Sequence, residues 1–171
     1  MATVSSLPIT DVALVAVLVM CAATDVWCAR IFNIVTYPAI ALGLAAAAAG
    51  MGPGFGSSIA GCVGGGMALY VLFACGAMGG GDVKLMAAVG AFKGYPFILN
   101  ALFCSVLAGG VAAAILLTLR GHFRAAARDL ASVTHAIGCP GSAPAAIHPR
   151  GGSLPFGVAI GVGTLAAMSI R

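Results

Sequence analysis

Apolar residues run along this chain in stretches close to bilayer thickness, with short polar or glycine-rich interruptions between them. Six stretches stand out, at about 9–24, 34–50, 58–77, 82–92, 97–119 and 154–170. A helix needs roughly 17–25 apolar residues to cross a hydrocarbon core, and five of the six come near that length. The fourth, Asp82 to Phe92, covers only about half a bilayer at 1.5 Å per residue, unless neighbouring helices shelter it. No stretch carries the polar face that a soluble helical bundle would need. None shows the alternating in/out pattern of a membrane barrel either. In lipid the backbone must satisfy its own hydrogen bonds, so the spans are expected to be helices. The expectation is an all-α, polytopic membrane protein of about six transmembrane helices, forming one domain over residues 1–171.

The interruptions refine this picture. Residues 1–8 contain no Lys or Arg, so they lack the positive region of a signal peptide, and the first apolar run is expected to stay in the mature protein. Pro8 is well placed to begin that run, and Asp11 reads as a capping residue. The stretch Asp25 to Asn33 then breaks the apolar pattern. Residues 51–57 are rich in Gly and Pro and predict a short loop. Gly61, Gly64, Gly65 and Gly66 suit close helix packing, and Lys93-Gly94-Tyr95-Pro96 ends the short fourth helix. The one extended polar region is Arg120 to Arg150. Arg120, Arg124 and Arg128 fall on a single helical stripe, with Phe123 and Leu130 able to dip into lipid, so a basic interfacial helix is expected there. Its second half, 138–144, reads as loop.

Composition sharpens the class. Charged residues make up 7% of the chain, against about 25% in a typical soluble domain. The net charge of +4 is read as topology, since no basic run is interleaved with aromatics and no nucleic-acid partner is indicated. The six cysteines form no C-x-x-C pair, so neither a zinc site nor a disulfide framework is expected. With six spans, Arg30, Lys84, Arg120, Arg124, Arg128 and Arg150 fall on one side, leaving Lys93 and Arg171 on the other. The positive-inside rule makes the first side cytoplasmic and puts both termini outside.

Only four acidic residues occur: Asp11, Asp25, Asp82 and Asp129. Asp25 and Asp82 follow long apolar runs and, on this topology, share the cytoplasmic face. Ionisable residues within a membrane are costly and usually functional. Taken singly, each also reads as an interfacial helix cap. As a pair, two neighbouring carboxylates in a partly desolvated site share a proton, so one acts as base and the other as acid toward water and a peptide carbonyl. The glycines Gly79 to Gly81 fit a bend and close backbone approach. Lys84 reads either as a group that orients the pair or as a topology anchor. There is no G-x-S-x-G elbow, H-E-x-x-H or Walker sequence, and His122, His135 and His148 are scattered in the polar region. Neither a metal nor another cofactor is expected.

Met78-Gly-Gly-Gly-Asp-Val-Lys-Leu-Met-Ala-Ala-Val-Gly-Ala-Phe resembles the G-x-G-D segment of type IV prepilin leader peptidases, a family of aspartic membrane proteases. Asp25 through Asn33 resembles the family's other signature, with Asp25, Arg30, Ile31 and Asn33 matching and Phe32 where proline is usual. Ser153 to Gly161 resembles its Pro-Phe-Gly motif, here Pro155, Phe156 and Gly157. The resemblance implies Asp25 and Asp82 as the catalytic pair. It implies that Gly79, Gly81, Lys84, Arg30, Asn33, Pro155, Phe156 and Gly157 bind substrate or shape the site, although Pro155 to Gly157 equally fit the simple start of a helix. The implied substrate is a prepilin or pseudopilin whose short basic leader is cut at the cytoplasmic face of a prokaryotic inner membrane. Larger family members carry an extra cytoplasmic segment between the first two spans and also N-methylate the product. That segment is missing here, so the chain resembles the short form associated with Flp-type tight-adherence pili, and methylation finds no support in the sequence. Two other readings stay open: a presenilin-like protease cutting within a membrane span, and a non-enzymatic transporter or assembly subunit.

Overall fold

The computed structural model describes residues 8–28, 30–75, 78–120 and 156–170. Six helices carry nearly all of them: α1 (Ile9–Cys28), α2 (Asn33–Ala48), α3 (Phe55–Ala74), α4 (Gly80–Lys93), α5 (Phe97–Arg120) and α6 (Phe156–Ser169). Among the described residues there is no strand. The helices α1, α3 and the Phe97–Ile115 part of α5 are long and apolar enough to cross a membrane, and α2 and α6 are shorter apolar helices.

The interior is apolar, as in a soluble bundle, but here the perimeter is apolar too. Large apolar side chains point outward all along the perimeter, among them Val12 and Val19 on α1, Val63 and Met67 on α3, and Phe103 and Val111 on α5. Lipid is a suitable neighbour for such a surface, so nothing drives these groups inward. The short helix α4 is the exception. Every residue from Leu85 to Phe92 is buried, because α3, α2, α1, α5 and α6 all pack against it. Shelter by its neighbours is how a 14-residue helix carrying an acidic residue is accommodated at the centre of the bundle.

Glycine makes the tightest of these contacts. A Cβ on Gly90 of α4 would run into the Gly61 backbone of α3, and one on Gly65 would meet the Met86 carbonyl at 2.9 Å. The small residues at 61 and 65 therefore face α4, whereas Gly64 faces open space.

Several boundaries differ from expectation. The first helix does not stop before Asp25 but continues to Cys28, since no Gly or Pro interrupts the chain there and a single carboxylate near the end of a helix does not unwind it. Pro8 does precede α1, its carbonyl accepting the Asp11 and Val12 amides. The third helix ends at Ala74 rather than near residue 77. Asp11 is not a cap: its carboxylate lies 2.7 Å from the Lys93 ammonium at the end of α4. The Arg120–Arg150 region, with the expected Arg124–Arg128 stripe and all three histidines, lies outside the described residues from position 121 onward, as do Ser153 and Pro155.

Candidate active site

At one end of the bundle, opposite the Asp11–Lys93 contact, a cavity of about 380 Å³ is lined by Asp25, Arg30, Ile31, Phe32, Asn33, Gly79, Gly80, Gly81 and Asp82. Three separate pieces of chain meet there: the last turn of α1, the link into α2 and the start of α4. Asp25 and Asp82 thus share one cavity although 57 residues separate them.

Asp82 is held by the way α4 begins. Gly79 has an extended backbone (φ −77°, ψ 145°), and the Asp82 amide donates to the Gly79 carbonyl at 3.2 Å. The side chain, 9% exposed, turns into the cavity from the first helical turn. These dihedrals are open to any residue, so a bend is not what demands glycine here. Clearance is: a Cβ on Gly81 would sit 2.7 Å from Ile31 Cβ, and one on Gly80 would press on the Phe73 ring at 3.3 Å. Gly81 lets the link between α1 and α2 close over the start of α4, and Gly80 admits the Phe73 ring of α3.

Asp25 is oriented from a third direction. The Gly157 amide at the start of α6 donates to Asp25 Oδ2 at 2.7 Å, a charge-assisted bond when the carboxylate is ionised. The bond lies in the first turn of a helix, where amides lack intrahelical partners and favour negative charge. Gly157 has no room for a side chain, since a Cβ would lie 2.9 Å from Asp25 Oδ2 and 3.1 Å from Ile31 Cδ1.

The remaining sequence candidates divide. Arg30 and Asn33 line the cavity, with Arg30 exposed at its rim. Lys84 does not line it; its ammonium donates to Asn33 Oδ1 at 2.7 Å and sits 4.7 Å from the centre of the Tyr37 ring. It acts on the cavity wall from behind, tying α4 to the start of α2. Phe156 turns from the cavity toward α5, where its ring fills the space beside Gly109. Ile31 matches the signature in the sequence, which assigns it no role; the structure makes it a site residue that covers Gly81 and Gly157 together. Nothing in an isolated isoleucine announces that contact.

The model of the type IV leader peptidase family matches residues 12–114. The match encloses Asp25, Arg30, Asn33, Gly79, Gly81, Asp82 and Lys84, and stops before Phe156 and Gly157. No curated protein matches the chain, and no solved structure does.

Proposed function

The chain belongs to the type IV leader peptidase family, and on that premise we propose that it is a membrane-embedded aspartic endopeptidase removing the short leader of type IV or Flp-type prepilins. One observation carries the reading: Asp25 and Asp82, from two helices far apart in sequence, line a single cavity. Two carboxylates in one partly desolvated site ionise as a coupled pair, with one proton shared. The ionised member takes a proton from a water molecule whose oxygen adds to the scissile carbonyl carbon, while the protonated member donates to the carbonyl oxygen. Collapse of the tetrahedral intermediate breaks the C–N bond, and the departing amine takes the proton held by the base. No covalent enzyme intermediate forms. The Gly157 amide suits Asp25 to the base role, because a donor aimed at Oδ2 favours the charged form. The cavity lies within the range of small binding sites, which suits an extended backbone entering beside Gly79 to Gly81.

The charge pattern supports an arrangement with this cavity at the cytoplasmic face of a prokaryotic inner membrane. Arg30 and Lys84 lie at the cavity end and Lys93 at the opposite end, the asymmetry that the positive-inside rule associates with cytoplasmic exposure. A prepilin anchored by its own apolar helix would present its leader at that face.

The direct test is to reconstitute the full chain in liposomes with a prepilin-type substrate and identify the products by mass spectrometry. A cut at the junction between the basic leader and the apolar segment is expected. A cut in the middle of the apolar segment would favour the presenilin-like reading, and an intact substrate would count against protease function.

The Gly157 contact gives a second expectation. Gly157→Ala places a methyl group against Asp25 Oδ2 and Ile31 Cδ1, and the carboxylate must swing away. Misplacing a catalytic group by about 1 Å can cost roughly 100-fold, so the cleavage rate should fall by one to two orders of magnitude with little change in protein level. A rate within twofold of wild type would separate the Gly157 contact from catalysis.

A further inference from the structure

The pair Asp11–Lys93 stands at the end of the bundle remote from the cavity, and neither residue has a part in the chemistry above. Its side chains are only 14% and 9% exposed, in a 2.7 Å contact, and the Lys93 ammonium also lies 5.5 Å from the centre of the Phe97 ring. It is the one ion pair among the described residues.

The helices it joins are the two that carry the candidate dyad. Asp11 and Asp25 are both on α1, and Asp82 and Lys93 are both on α4. On α1 the two aspartates are 14 residues apart, hence about 21 Å along the axis and within about 40° of the same face at 3.6 residues per turn. On α4 Asp82 and Lys93 are 11 residues apart, about 17 Å along the axis and within about 20° of one face. The helices run in opposite directions, so each carries one member of both pairs on the side turned toward the other. The result is a ladder with two rungs: an attractive rung of opposite charges at one end and a rung of two carboxylates at the other. Packing alone leaves this ladder weakly held, because α4 rests mainly on α3 and α2 and only lightly on α1.

We infer that Asp11 and Lys93 are positioning residues whose ion pair sets the gap between Asp25 and Asp82; as a statement about catalysis, this rests on the dyad reading above. Two carboxylates share one proton only at a suitable separation, and the remote pair fixes the axial register and spacing of the helices that set it. A pair so little exposed suits this role because losing one partner leaves a charge with little compensation. The surrounding contacts then shift rather than keep the register.

The test uses full-length protein in liposomes, with the native cysteines replaced and nitroxide labels on Trp27→Cys and Met78→Cys, which flank the cavity on α1 and before α4. Distances are read by pulsed electron resonance, and cleavage of a prepilin-type substrate is measured on the same samples. In Asp11→Asn and in Lys93→Gln the distance distribution should shift or broaden, and the cleavage rate should fall roughly 10–100-fold, as misplacement of a catalytic group does. The exchange variant Asp11→Lys/Lys93→Asp should narrow the distribution again and recover much of the rate. Recovery in that variant distinguishes registration from a general need for a folded protein. Unchanged distances in both single variants would overturn the inference. So would an exchange variant no better than the singles, including one that fails to fold. If the distances respond as expected but the parent protein cleaves no prepilin, the inference stands and the protease reading is what fails.

Discussion

Asp25→Asn and Asp82→Asn are each expected to abolish leader cleavage while leaving the protein inserted at normal levels. Asparagine keeps the size of the side chain and removes its proton chemistry. At position 25 the amide oxygen can still accept the Gly157 N–H, which in the native protein reaches Oδ2 at 2.7 Å. The orientation of the side chain is thereby kept, and the loss can be assigned to the missing carboxylate. At position 82 the native group is 9% exposed, and replacing a buried ionisable group with a neutral one does not demand new solvation. Removing a general acid or base costs typically 10²–10⁴-fold, which places both variants near the detection limit of a processing assay. The double variant should be no worse than the more impaired single, because groups that act as a unit lose their joint effect once. Initial rates with protein levels checked by immunoblot decide the matter. Normal cleavage in either single variant would remove that residue from the mechanism and move the interpretation toward the transporter or assembly reading, in which prepilin processing is untouched.

The helical architecture was legible because lipid leaves the backbone few choices: apolar stretches of membrane length must be helices. The common location of Asp25 and Asp82 was legible for a related reason. Counting spans assigns each helix end to a face, and two acids at boundaries of equal parity must share one. Contacts across the bundle were another matter. The partner of Asp11 lies 82 residues away at Lys93, and that of Lys84 lies 51 residues back at Asn33. Local propensity carries no information about such pairs, so a capping role for Asp11 was the natural inference. The glycines before Asp82 show a subtler limit. Their presence in the sequence is equally consistent with an unusual backbone and with a lack of room, and only the placement of Ile31 and Phe73 shows that room is the reason. The end of α1 was hidden for want of a stop signal: four residues of mixed character, Asp25 to Cys28, continue the helix because no Gly or Pro among them interrupts it.

The largest effect on the fold itself is expected from Gly90→Ala, with Gly64→Ala as its counterpart. A methyl group at position 90 meets the carbonyl carbon and oxygen of Gly61 and lies 2.8 Å from the Cys62 nitrogen. All three are backbone atoms of α3, so no side-chain rotation relieves the overlap and the two helices must move apart. Among the described residues the α3–α4 interface is the most extensive. Helix association in lipid rests chiefly on close packing rather than on the hydrophobic effect, so a gap opened between these helices is not offset by burial elsewhere. Overpacking of a well-filled site costs about 1–3 kcal/mol or more, a large share of a typical stability of about 5–15 kcal/mol. The site is affected as well, because Asp82 rides on the same helix eight residues earlier, about 12 Å along its axis. Gly64, one turn along α3 from Gly61, has nothing within 4 Å of an added Cβ, and Ala there should be neutral or slightly stabilising through its better helix propensity. Thermal unfolding in detergent, followed by circular dichroism, should therefore show a marked drop for Gly90→Ala and none for Gly64→Ala, with cleavage falling only in the former. Equal stability of the two variants would mean that α3 and α4 do not approach through Gly61 and Gly90, and the placement of Asp82 by that contact would have to be abandoned.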